Sequence, residues 1–186
     1  MSAHLEQLFT VADLELMPDD GKRYELIEGD LVVSHAPGLS HQEILDNLIS
    51  YIKPFLRVNP VGKVWSTPGV IFDNFNAVIP DLVFVSNERL GEVAATEKVP
   101  GAPDLAIEVL SPGKENLRRD RSMKLKTYGK FGVSEYWIVD GFQRLVEIYR
   151  LDNGELALNV VLRFSDELTT PLLPGFTCAV RQIFEA

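Results

Sequence analysis

Apolar residues in this 186-residue chain recur with two periods. Ile44, Leu45, Leu48, Ile49, Ile52 and Phe55 fall at helical spacing, the stripe of an amphipathic helix packed on a core. Ser40 and Glu43 form a capping box at its start, and Pro54 should kink or end it. A second helix is predicted over Leu117–Phe131, closed by Gly132, and a short one opens at a Thr10–Asp13 box. Elsewhere the runs are of β type. Tyr24–Ile27 and Asp30–Ser34 flank Glu28-Gly29 as a hairpin, and Leu145–Tyr149 and Leu156–Phe164 flank Asn153-Gly154 as another. Gly62–Trp65, Gly69–Phe72, Ala77–Ser86, Pro103–Pro112 and Leu172–Val180 read as further strands. Glu135–Val139 is almost wholly apolar and should be central. Asn87–Gly101 reads as a polar loop. The order predicts one mixed α/β or α+β domain over residues 1–186, with a single central sheet flanked by helices.

Two of these apolar strands carry an acid. Glu108 lies near the end of Pro103–Pro112, and Asp81 stands at the head of the run Leu82–Val85. An ionised, unpaired carboxylate in an apolar layer is costly, so such a group shifts its pKa, finds a partner or binds a metal. Two carboxylates at adjacent strand ends, with the main-chain carbonyl of Val109, offer the hard oxygen ligands that Mg2+ or Mn2+ takes. Positions would remain open for water and a phosphate oxygen. The alternative is that each acid caps a strand end or pairs with a helix lysine. Pro80 marks a strand start or a bulge. Asp104 faces the same side as Glu108 but stands about 13 Å away at roughly 3.3 Å per residue, too far to share one ion. It reads as a strand-start residue.

Charge sharpens this picture. The net charge of -9 argues against non-specific adhesion to nucleic acid. Yet Lys114–Lys130 carries +5, leaving -14 elsewhere, so that segment is either a solvated helix face or a patch turned toward phosphate. Cys178 is the one cysteine, which excludes an intramolecular disulfide and fits a reducing compartment. No run approaches the roughly 20 apolar residues of a membrane span, and the first residues lack a signal-peptide pattern. A cytoplasmic location is expected. Phosphate-binding glycine loops, zinc spacings and serine-hydrolase elbows do not occur, and His4, His35 and His41 are scattered.

The residues then support a resemblance. Pro80-Asp81, followed 27 residues later by Glu108, resembles the PD-(D/E)XK nuclease superfamily. A longer ordered set runs Tyr24–Gly29, His41, Pro80-Asp81, Pro103–Leu105 into Glu108–Pro112, Lys124 with Tyr128, and Gly132–Trp137. It resembles the Uma-type family of putative restriction endonucleases over nearly the whole chain. The resemblance implies a restriction-endonuclease-like core with extra β-hairpins, and metal-dependent phosphodiester hydrolysis, with DNA as the substrate. Asp81 and Glu108 would be metal ligands. The lysine that usually follows the glutamate by two residues is replaced by Leu110. The resembling family takes its lysine from the next helix, where Lys124 fits, sharing a face with Asp120 and Tyr128 at i, i+4 spacing. Otherwise Asp120 and Lys124 are a surface pair. Glu25 reads as a solvent-face residue or an outer acid, His41 as a surface residue or a phosphate or water contact, and Ser111 as a site or turn residue. A homodimer is compatible by analogy with paired cuts in a duplex. Leu110 and the acidic charge favour an alternative, a nuclease-fold protein that binds nucleic acid or a protein without cutting.

Overall fold

The β-runs divide between two main sheets rather than one. The computed structural model describes residues 8–93 and 96–185; His4 lies outside them. In chain order the elements are α1 (Val11–Leu14), β1 (Arg23–Ile27), β2 (Asp30–Ser34), α2 (Leu39–Val58), β3 (Gly62–Ser66), β4 (Val70–Asp73), β5 (Asn76–Val78) and β6 (Leu82–Ser86). There follow α3 (Leu90–Val93), β7 (Val99–Pro100), β8 (Leu105–Val109), α4 (Lys114–Arg118), a π-helical segment (Arg119–Lys124) and α5 (Leu125–Phe131). The chain finishes with β9 (Glu135–Asp140), β10 (Leu145–Asp152), β11 (Glu155–Arg163), β12 (Glu167–Leu168), β13 (Cys178–Ala179) and α6 (Val180–Phe184).

The larger sheet has the order β11-β10-β9-β8-β6-β3, antiparallel except for the parallel pair β8–β9. The second has the order β2-β1-β5-β4-β7, with β4–β7 its parallel pair. A parallel neighbour needs a crossover, and the helical stretch Lys114–Phe131 supplies it between β8 and β9. Period-two alternation sorts the large sheet into two apolar layers. Leu82, Phe84, Leu105, Ile107, Val109, Trp137 and Val139 meet the α2 stripe on one face. Val83, Val85, Ala106, Tyr136 and Ile138 meet Tyr128, and Ile27, Val70 and Val78 of the second sheet, on the other.

Several expectations change. The run Ala77–Ser86 is two strands, because the chain passes from one sheet to the other at Ile79-Pro80-Asp81. Pro80 therefore marks a crossing between sheets. Asn87–Gly101 is not wholly loop: α3 lies within it, and β7 pairs with β4. The capping residue of α2 is Gly38, not Ser40. Pro54 does not end α2, which runs on to Val58; only the Ser50 carbonyl loses an intrahelical donor there. Leu172–Val180 contributes only the two-residue β13 before α6. Both hairpins form as expected. Glu28 and Gly29, like Asn153 and Gly154, take the paired positive φ of a tight turn.

Candidate active site

Glu108 enters the site by register. Leu82 pairs with Ile107 and Val83 with Ala106, and one further step of that ladder sets Asp81 opposite Glu108. Alternation turns Glu108 to the same face as Ala106, toward Tyr128 and away from α2. Asp81 ends the crossing between the sheets. The N–H of Val109 donates to its Oδ2 at 2.9 Å, His41 Nε2 lies 3.0 Å from the same oxygen, and Arg23 Nη1 reaches Oδ1 at 3.3 Å. Lys124 Nζ stands 2.7 Å from Glu108 Oε1 and 2.9 Å from Glu25 Oε1. Tyr128 Oη also donates to Glu108 Oε1, at 2.9 Å, and the N–H of Ile79 donates to Glu25 Oε1 at 2.7 Å. Thus β1, the sheet crossing, β8 and the crossover helix all bring charged groups to a common point. These groups line a cleft of about 270 Å3 that also takes in Ser111 and Arg119. Among the described residues the Ser111 hydroxyl makes no hydrogen bond.

A model of the Uma2 family, described as "Putative restriction endonuclease", matches residues 11–181. The chain belongs to this family. Its fold matches the crystal structure of a putative nuclease of DUF820 from Anabaena variabilis, with a TM-score of 0.77 at 18% identity over 95% of this chain and 97% of that one. No curated protein matches it.

In this Uma2 chain the helix around the lysine is not regular. Arg119–Lys124 forms a π-helical segment, and such single wide turns recur at functional sites. Arg119 and Asp120 both turn inward there, and the Arg119 Nε and Nη2 hold Asp120 at 2.8 and 3.2 Å. Asp120 is buried, so it is not the surface partner of Lys124. Tyr136 Oη donates to its main-chain oxygen at 3.1 Å. Glu25 and His41, read as exposed in the first alternative, are buried. The His41 Nδ1 is the buried side-chain polar atom left without a partner among the described residues. Asp104 stays apart from the site and accepts the N–H of Ser86 at 2.7 Å, as a strand-end residue does.

The electrostatics follow from four buried acids sharing few cations. Burial pushes the Glu108 carboxyl up to about 8; Lys124 opposes this, while Asp81, Asp120 and Glu25 add to it. Burial also opposes ionisation of Asp81, yet the His41 and Val109 hydrogen bonds, with the positive charge of Lys124, hold its carboxyl below the ordinary value. Lys124 is disfavoured as a cation by burial, but Glu108, Glu25 and Asp120 hold it well above the ordinary lysine value. It remains an ammonium.

This donor set fits a hard divalent cation. Asp81 and Glu108 are facing oxygen donors in a cleft whose three acids (Glu25, Asp81, Glu108) match its three cations (Arg23, Arg119, Lys124), with Asp120 buried behind them as a fourth acid, so that a further positive charge is tolerated. Among the described residues no group of three His, Cys, Asp or Glu side chains is gathered to hold a metal. Mg2+ tolerates that, since it commonly binds through one or two carboxylates and keeps several waters. Sequence reasoning missed Arg23 and Arg119. Arg23 had a signal: it precedes Glu25 by two residues on one strand and so shares its face. Arg119 had none, because regular helical spacing separates it from the Asp120, Lys124 and Tyr128 face.

Proposed function

We propose that this chain is a Mg2+- or Mn2+-dependent endonuclease that hydrolyses phosphodiester bonds in nucleic acid, DNA foremost, with residues 1–186 acting as one nuclease-like domain in the cytoplasm. The observation that carries this reading is the buried Lys124 ammonium, 2.7 Å from Glu108. That contact brings from a helix the cation that Leu110 cannot supply. In this reading Asp81, Glu108 and the carbonyl of Val109 hold the ion, which when bound neutralises phosphate charge and acidifies a water.

Lys124 carries three N–H donors; one bonds Glu108, and the ammonium also pairs with Glu25 at 2.9 Å. Among the described residues no other acceptor takes its remaining N–H groups, which can orient water for in-line attack on phosphorus. Its charge also steadies the phosphoryl oxygens as the bond to the leaving oxygen breaks. Arg119 uses one edge of its guanidinium on Asp120 and has only a 3.4 Å contact from Nη1 to Asn116, so Nη1 can turn to a phosphate oxygen. Arg23 and His41 position Asp81, Tyr128 positions Glu108, and Glu25 positions Lys124. The Ser111 hydroxyl lines the cleft and is available to water or phosphate, whereas the Nδ1 of His41 is enclosed.

The test is cleavage of end-labelled DNA with Mn2+. Glu108→Gln and Asp81→Asn should each lower kcat/KM by at least about 100-fold, the scale of losing one preorganised electrostatic contact, and EDTA should stop the reaction. Equal rates from wild type and Glu108→Gln would refute the proposal. Leu110 and the net charge of -9 favour a second reading, a non-cutting binder of nucleic acid or protein. Its signature is a complex that survives EDTA and yields no product. Paired cuts in a duplex would call for a homodimer, whereas cuts in an unpaired strand need one copy.

A further inference from the structure

A second hollow, of about 400 Å3, opens directly from the cleft and shares Gly38, His41, Ser111 and Pro112 with it. Its character is different. Ile44, Leu110 and Leu117 make its walls apolar, and Phe142 stands at its rim. Phe142 is 99% exposed, the most exposed of the large apolar side chains among the described residues. An isolated surface phenylalanine needs no explanation, but this one is presented on a fixed support. The N–H groups of Phe142 and Gln143 donate to Asp140 Oδ1 at 3.0 and 2.8 Å. Asp140 Oδ2 in turn accepts from Gln143 Nε2 and from Arg121 Nη2, both at 3.1 Å. On the other side the turn is seated against α2, so closely that a Cβ on Gly141 would stand 2.5 Å from Ile44 Cδ1. A side chain there would have to turn the tip of Ile44 aside. The ring therefore projects from a turn whose backbone is braced on both sides, so that binding has only the side chain left to order.

The geometry points to a nucleobase site: the apolar hollow and the Phe142 ring take an unpaired base next to the phosphate held in the cleft. This inference rests on the nuclease reading and names its substrate class as single-stranded nucleic acid or an unpaired flap. Two arguments select this occupant. The cations Arg119, Arg23 and Lys124 line the cleft and leave the adjoining hollow apolar, the division of a nucleotide into charged phosphate and flat base. A base inside a duplex has both faces covered by its neighbours, so away from duplex ends it is an unpaired base that offers a face to an aromatic ring. The acids at the cleft floor are 2–3% exposed, which also suits a slender strand over an intact duplex.

The experiment measures binding of fluorescent oligonucleotides, single-stranded and duplex, DNA and RNA, to the Glu108→Gln protein with Mn2+, with and without Phe142→Ala or Phe142→Trp. Cleavage by the proteins carrying Glu108 is followed in parallel. Phe142→Ala should weaken single-strand binding by about 5- to 150-fold, the effect of losing one stacked base. Phe142→Trp should restore it, and duplex binding should not change. In cleavage the loss should fall on KM rather than kcat. Face contact does not read the 2′-hydroxyl, so the dependence should appear in DNA, in RNA or in both. Single-strand affinity that is indifferent to Phe142→Ala overturns the inference. So does a Phe142→Ala protein whose mass in solution halves while its binding is unchanged, which would make the hollow a contact between copies. If duplex and single strand are cut equally and Phe142 is immaterial, the inference fails and the nuclease reading stands. If nothing is bound or cut, the nuclease reading fails and carries the inference with it.

Discussion

The two long helical stretches flank the large sheet and bury opposite kinds of surface. α2 is regular over 20 residues, even through Pro54, and what it buries is chiefly hydrocarbon: Ile44, Leu45, Leu48, Ile52 and Leu56. The stretch Lys114–Phe131 widens into a π-helical turn and buries Asp120 and Lys124 beside Tyr128. Apolar packing is non-directional and asks a helix only for a stripe. A buried charge needs partners at bonding distance, and here the backbone departs from regular geometry where they are supplied. One helix serves the core, while the other trades regularity for the position of a lysine.

The largest test of that contrast is Lys124→Met. It leaves Glu108 and Glu25 buried without their cation, so unfolding in urea should show a loss of about 3–5 kcal/mol, and Mn2+-dependent cleavage should vanish. In EDTA the stability loss should be smaller at pH 6 than at pH 9. Without the lysine, the folded-state pKa of Glu108 rises further above its unfolded value. Folding then favours the protonated acid, and stability falls as pH rises through that window. A loss that does not vary with pH would mean that the acids had found other partners. Next in size is Leu48→Ala in α2, which should cost about 2–5 kcal/mol. Below its melting temperature this protein should keep its cleavage rate; a fall in kcat would mean that the two helices are not separable in function. The smallest effect is Pro54→Ala. It returns the missing donor to an exposed helical position and should stabilise by about 1–3 kcal/mol, read as a shift in the urea midpoint. No gain would imply that the helix is already relaxed around the proline.

Much of this was legible because it is local. The α2 stripe, the Asn153-Gly154 hairpin and the buried strand β9 depend on neighbours in the chain. The acids at Asp81 and Glu108 stood out because a carboxylate in an apolar run is out of place. What escaped depends on distant contacts. His41 reads as a surface residue until Asp81, 40 positions on, comes within 3.0 Å of its ring. The run from Ala77 to Ser86 keeps its apolar character across Pro80, so nothing in it announces two sheets. The two-residue β7 is too short to show a period. The π-helical turn shifts Arg119 into the cleft against the spacing that a regular helix would impose. Leu110 pointed to a missing lysine, and the structure sets Lys124 2.7 Å from Glu108 from another element.

The crossing at Ile79-Pro80-Asp81 has a consequence for how the protein comes into being. Glu25 arrives with one sheet, Glu108 with the other, and Asp81 belongs to the link between them. The Ile79 N–H on Glu25 and the Val109 N–H on Asp81 form only when both halves are assembled around that link. A chain that has built one sheet has no site at all, only separate acids facing water. The cleft is thus a coincidence detector for its own folding: its acids come within reach of one another only where both sheets and the link between them are in place.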